Sequence, residues 1–95
     1  MNALKVKATP EPTLRRLPRY LYLLKNLREE GVKQVSSTFI AKALGLDPTQ
    51  VRKDIEYTDV VGKPKTGFDT RELVKAIESF LNWNNQTDAF LVGVG

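Results

Sequence analysis

The stretch GLDPTQVRKDIEY, Gly45 to Tyr57, decides how this chain is read. Its glycine ends one segment and its next residues start another. Asp47 stands at a helix N-cap and Pro48 at N1, where a missing N–H costs little. Gln50 at N3 completes a capping-box pattern, and Leu46 with Val51 occupies the N′ and N4 places of a hydrophobic staple. Val51 and Ile55, one turn apart, mark the buried stripe. Thr49, Gln50, Arg52, Lys53 and Glu56 then lie outside, and Asp54 is expected to pair with a neighbouring arginine. A short helix with an amide and two cations outward is either a solvated surface or a helix built to enter a groove of DNA.

The residues before it favour the groove. VSSTFIAKALG, Val35 to Gly45, predicts a helix capped by Ser36, with Val35 and Ile40 as its staple and with Ile40, Ala43 and Leu44 facing inward. Only Gly45, Leu46 and Asp47 join the two helices. Ala41 lies four residues before Gly45, where two helices approach closely, and Val51 lies six after it. This small–glycine–apolar spacing is that of a helix-turn-helix.

The residues after it predict a basic hairpin. In VVGKPKTGFD, Val60 and Val61 lead in, Gly62 to Thr66 form the tip, and Phe68 leads out. Asp69 caps a further helix with Glu72 at N3 and an apolar face of Leu73, Ile77, Phe80 and Leu81. NWNNQTD reads as a polar connector and AFLVGVG as a terminal strand. Upstream, LRRLPRYLYLLKNLREEG predicts the first helix, with Pro18 in its first turn and Gly31 as its stop. Leu17, Tyr20, Leu21, Leu24 and Leu27 form one face. Arg15, Arg16 and Arg19 oppose the helix dipole at its start, a conflict that an external phosphate would relieve. MNALKVKATPEPT reads as a flexible arm. The expected organisation is an arm over 1–13, a mainly α winged helix-turn-helix over 14–82, and a connector with the first strand of a truncated Rossmann domain over 83–95. The winged helix consists of a three-helix core, a β-hairpin wing and a fourth helix.

Composition narrows the function. The 95 residues suffice for one small domain, and 41% are hydrophobic. With no cysteine and no histidine, neither a disulfide nor the commonest metal ligand and general base is available, so an enzyme and a metal site are not expected. No signal-peptide apolar region and no membrane-length apolar run are read, so the chain is expected in the cytoplasm. The net charge of +4, from 15 basic and 11 acidic residues, suits a polyanionic partner. In a major groove Gln50 could pair with adenine, Arg52 or Lys53 with guanine, and Thr49 with a thymine methyl group or a phosphate. Lys63 and Lys65 at the hairpin tip could reach the backbone or the minor groove. Gly93-Val94-Gly95 resembles the opening of a dinucleotide-binding turn but lacks the third glycine, the helix and the ribose acid.

Taken together, RRLPRYLYLLKNLREEGV, VSSTFIAKALGLDPTQVRKD, Tyr57, the glycines of GKPKTGF and AFLVGVG resemble one family, the redox-sensing transcriptional repressors called Rex. The resemblance runs from about Thr13 to Gly95. It implies an N-terminal winged-helix domain, a C-terminal Rossmann domain that binds NAD(H), and a homodimer that holds a palindromic operator and releases it when NADH replaces NAD⁺. It implies no cofactor in this chain itself, apart from Gly93 and Gly95 as the start of an incomplete NAD fingerprint. The expected DNA-contacting set is Arg15, Arg16, Ser36, Ser37, Thr49, Gln50, Arg52, Lys53, Tyr57, Lys63 and Lys65. The chain departs from the family pattern at Phe39, where glutamate is frequent, at Glu56, Thr58 and Asp59, and at Pro64 and Lys65 in the wing. Two other readings stay open. A winged-helix protein-interaction module would suit the acidic residues near the third helix, and a fragment of an NAD-dependent enzyme would suit AFLVGVG.

Overall fold

Three prolines set how the chain enters its first helix. Pro10, in extended conformation, is the N-cap of α1, Glu11–Glu29, and Pro12 falls in the first turn, where no N–H is needed. The computed structural model describes residues 9–58 and 67–92, with side chains described over 9–58 and 67–82. Because α1 begins at Glu11 rather than Leu14, Pro18 lies inside the helix and not in its first turn. The earlier start is held by Thr13, expected in a flexible arm, which is buried and hydrogen-bonded to Asp54. Pro18 therefore removes one bond from the helical ladder, on an exposed face.

At the other end Gly31, with φ 87°, takes the left-handed place past α1. Val32 donates to the Leu27 carbonyl at 2.9 Å and Gly31 to that of Arg28 at 3.1 Å, so the orphan carbonyls are closed in a Schellman arrangement. The chain then forms β1, Gln34–Val35, α2, Ser37–Leu44, and α3, Pro48–Glu56. After the residues not described come β2, Phe68–Asp69, and α4, Thr70–Val92. Strand β1 pairs antiparallel with β2, Gln34 opposite Asp69 and Val35 opposite Phe68. Gly67 sits at φ 82°, and a Cβ there would lie 2.5 Å from the Val35 carbonyl oxygen. Only glycine lets β2 come that close to β1.

The core joins all of these elements. Leu17, Tyr20, Leu24 and Leu27 of α1 meet Leu73, Val74, Ile77 and Phe80 of α4, and Ile40, Ala41, Val51 and Ile55 close the other side. Complete burial of a leucine, isoleucine or phenylalanine contributes about 1.5–3 kcal/mol, so this cluster fixes where α2 and α3 sit. Ala43, expected inward, is exposed, and Ala41 faces the core instead. The buried face of α2 runs through positions 40, 41 and 44, where it meets α3. Asp69 caps α4 as expected, accepting from the Glu72 N–H at 3.0 Å.

Helix α4 also runs through the residues read as connector and strand, as far as Val92. No proline or glycine interrupts Thr70 to Val92, and a helix satisfies its backbone locally, whereas a strand needs neighbours to pair with. Val60 and Val61, the hairpin tip with Lys63 and Lys65, and Gly93 and Gly95 lie outside the described residues. Among the described residues no helix is long and apolar enough to cross a membrane, and no group of metal-ligating side chains gathers.

Candidate nucleic-acid interface

The α2–turn–α3 unit is built from its two small residues. Gly45 adopts φ 71° and closes α2, and Leu46 donates to the Ala41 carbonyl at 2.8 Å. Ala41 is buried beneath this turn, where a larger side chain would push the helices apart, and Val51 is buried on the facing helix. Ser36 caps α2 as expected, its hydroxyl accepting from the Phe39 N–H at 3.0 Å. Asp47 occupies the N-cap position of α3, but its side chain makes no capping bond and the capping box does not form. Gln50, which would supply the returning half of that box, turns its amide to Asp54 instead, at 2.9 Å.

Asp54 is completely buried, on the same face of α3 as Val51 and Ile55. A carboxylate out of water must be paired or hydrogen-bonded, and this one is supplied from two helices. From α1, the Arg16 guanidinium donates through Nε to Oδ2 at 2.6 Å and through a terminal nitrogen to Oδ1 at 3.0 Å. The Thr13 hydroxyl donates to Oδ1 at 2.8 Å and the Tyr20 hydroxyl to Oδ2. Gln50 of α3 supplies the last donor. Burial pushes the Asp54 carboxyl upward, but the bonds from Arg16, Tyr20, Thr13 and Gln50 outweigh it and hold the group below the ordinary carboxylate range. The Arg16 guanidinium is raised, first by its hydrogen bond to Asp54. Burial, then Asp54, drives the Tyr20 hydroxyl well above its usual range. Asp54 thus anchors α3 to α1 through a charged, fully bonded knot.

This knot changes the part expected of the arginine cluster. The dipole field fades beyond the first turn, and α1 begins far enough upstream to leave Arg15, Arg16 and Arg19 past that turn. Each already has a partner within the chain. Arg15 pairs with Glu11 at 2.7 Å, Arg16 with Asp54, and Arg19 donates to the Leu44 carbonyl at the end of α2, at 3.2 Å. No external anion is needed to relieve them. Arg15 remains largely exposed, while Arg16 is mostly covered.

On the outer face of α3, Thr49, Arg52, Lys53 and Glu56 are exposed, and Gln50 is half-buried. Among the described residues neither Arg52 nor Lys53 has a carboxylate within ion-pair distance. Ser36 is exposed and Ser37 half-buried at the N-terminus of α2, whose free N–H groups and positive end suit a phosphate. Tyr57 ends α3, half-buried and packed against the core. The fold therefore leaves Thr49, Arg52 and Lys53 exposed on α3 and Ser36 exposed at the start of α2, and draws Gln50 and Arg16 partly inward. Sequence reasoning missed Thr13 and Tyr20 as partners of the knot. The available signal was Asp54 itself, a carboxylate in register with Val51 and Ile55, which demanded donors from whatever helix packs there.

Comparison with known proteins agrees with this geometry. The family described as "Putative DNA-binding protein N-terminus" matches residues 8–56. A redox-sensing transcriptional repressor Rex of Treponema denticola is 46% identical over 91 residues, covering 96% of this chain and 43% of that protein. The Rex of Bacteroides fragilis is 44% identical over 86 residues, covering 90% and 39%. The structure is similar to that of RSP in complex with β-NAD⁺ and operator DNA, with a TM-score of 0.72 and 29% identity over 77% of this chain and 34% of that one. RSP is a Rex-family repressor, also solved with β-NADH. The chain thus spans about two fifths of the length of these curated relatives. With a helix-turn-helix pinned by Asp54, a basic outer face and more than half of its residues matched, the chain belongs to the family of putative DNA-binding protein N-termini, in its Rex type.

Proposed function

We propose that this chain is the sequence-specific DNA-binding domain of a Rex-like transcriptional repressor, a regulator rather than a catalyst. In the full-length protein a homodimer would hold a palindromic operator and answer the NADH/NAD⁺ ratio. The observation that carries the proposal is the outer face of α3, where Arg52 and Lys53 stand exposed without acidic partners among the described residues, on a helix locked to α1 through Asp54. Such a face can do two things in a major groove. Arginine or lysine donates in a pair to guanine O6 and N7, and Thr49 meets a thymine methyl group or a phosphate. Ser36 and Ser37 bring the N-terminus of α2 toward the backbone, which fixes register without reading sequence. The operator seen with RSP, a relative in fold and sequence, supports this use of the domain. Lys63 and Lys65 would add backbone contacts from the wing.

The test is fluorescence anisotropy with duplex DNA over a range of salt concentrations. A domain that neutralises phosphates releases counterions, so log K should fall linearly with log salt. Affinity for a single half-site should be weak, because two linked domains on a palindrome gain from an effective concentration that one domain lacks. Absence of salt-dependent binding to any duplex would remove the proposal.

A further inference from the structure

Gln50 is the one outward candidate on α3 that the fold has already engaged. Its amide Nε2 lies 2.9 Å from Oδ1 of Asp54. An ionised carboxylate only accepts hydrogen bonds, so the nitrogen of the amide must face it and the oxygen must face away. Asp54 is completely buried and takes donors from Thr13, Arg16, Tyr20 and Gln50, which accounts for the lone pairs of both its oxygens. It has no capacity left to touch a base. Gln50 is half-buried and lies beside exposed Thr49, Arg52 and Lys53. A free glutamine can rotate its amide by half a turn and present either a donor or an acceptor. This one is held in a single sense.

We infer that Asp54 sets the specificity of Gln50: by holding one N–H of the amide it fixes the sense of the side chain and presents Oε1 outward, so that Gln50 accepts from the exocyclic amino group of adenine or cytosine. The inference rests on the DNA-binding reading above. Asp54 is a positioning residue in it, since it acts through Gln50. In the major groove the amino groups N6 of adenine and N4 of cytosine are the donors, while O6 of guanine and O4 of thymine are acceptors. An outward Oε1 therefore discriminates between the two halves of a base pair, and fixes which strand carries the purine or pyrimidine it prefers. An asparagine at position 54 has a donor of its own. It would let Gln50 turn over, bond through Oε1 and offer its N–H groups to the groove.

The experiment selects sequences bound by this chain from duplexes with a randomised centre, then measures affinity on the selected duplex with single groups deleted. Purine replaces adenine, or 2-pyrimidinone replaces cytosine, to remove an amino group; 7-deazapurines remove the N7 acceptor. The wild-type chain should lose about tenfold in affinity when the amino group at one position is removed. Gln50→Leu should lose sensitivity to that deletion, at that position alone. Asp54→Asn, if folded by circular dichroism, should also lose it while keeping the response at positions read by Arg52 and Lys53. If Asp54→Asn does not fold, the comparison of wild type with Gln50→Leu tests the outward Oε1 that the Asp54 bond dictates, and a Gln50-dependent response to loss of an acceptor alone overturns the inference. The inference is overturned if the Gln50-dependent position responds only to loss of an acceptor, or if folded Asp54→Asn keeps the wild-type profile. Failure of the wild-type chain to enrich any sequence would instead sink the DNA-binding reading and this inference with it.

Discussion

Replacing Asp54 by alanine would remove the acceptor that four side chains share. Three of them, Thr13, Arg16 and Tyr20, come from α1, and Thr13 and Tyr20 are buried, so their hydroxyls would be left without a partner. The Arg16 side chain retains 22% exposure and can turn part of its charge back to water. Taking one partner from a buried pair costs about 3–5 kcal/mol, and the access of Arg16 to solvent argues for the lower half of that range. A small domain holds about 5–15 kcal/mol in all, so Asp54→Ala should remove a large share of it. At roughly 4–8 °C per kcal/mol for a domain of this size, the midpoint should fall by more than about 10 °C. Urea unfolding followed by far-ultraviolet circular dichroism measures this directly. The acid limb gives a second reading. Because the folded carboxyl lies below its unfolded value, its contribution is fully present above about pH 4 and is lost as pH falls through the depressed value. The wild-type chain should therefore lose stability steeply below about pH 4, and Asp54→Asn should show a shallower fall there. A loss under about 1 kcal/mol for Asp54→Ala, with an unchanged slope in urea, would refute the claim that this carboxylate ties α3 to α1.

Two further outcomes follow from single contacts. Gly67→Ala places a Cβ 2.5 Å from a backbone oxygen at positive φ, and should cost about 2–3 kcal/mol by urea unfolding. Thr70→Val should leave stability unchanged or raise it by up to about 1 kcal/mol, since the buried Thr70 hydroxyl has no partner among the described residues and valine keeps its shape.

Much of the fold could be read from local rules, because most of its signals act locally. Ser36, Asp69 and Gly31 cap or stop their helices as their residue types require. The spacing of Ala41, Gly45 and Val51 located the helix-turn-helix, since burial and turn geometry leave few residue choices there. The failures share another cause. Gln50 and Asp47 have the spacing of a capping box, yet the Gln50 amide goes to the buried Asp54 carboxylate and Asp47 makes no side-chain cap. The dipole conflict expected at Arg15, Arg16 and Arg19 does not arise because α1 starts at Glu11, and the partners of Arg16 and Arg19 lie on elements far along the chain. The two-residue strand β1 gave no periodic signal, and exists because Gly67 admits β2 beside it. The four helix-face positions Thr49, Gln50, Arg52 and Lys53 were legible as a set, but the inward pull on Gln50 is a tertiary fact.

The measurement closest to the central claim is the affinity of Arg52→Ala and Lys53→Ala, each compared with wild type on the selected duplex and on a random duplex of the same length. Both side chains are exposed on α3, so the substitutions should leave the fold intact. If this face reads bases, at least one variant should lose about 1–3 kcal/mol on the selected duplex, with a much smaller loss on the random one. An equal loss on both duplexes would show that the two cations only meet phosphate, and no loss on either would place the DNA contact away from this helix.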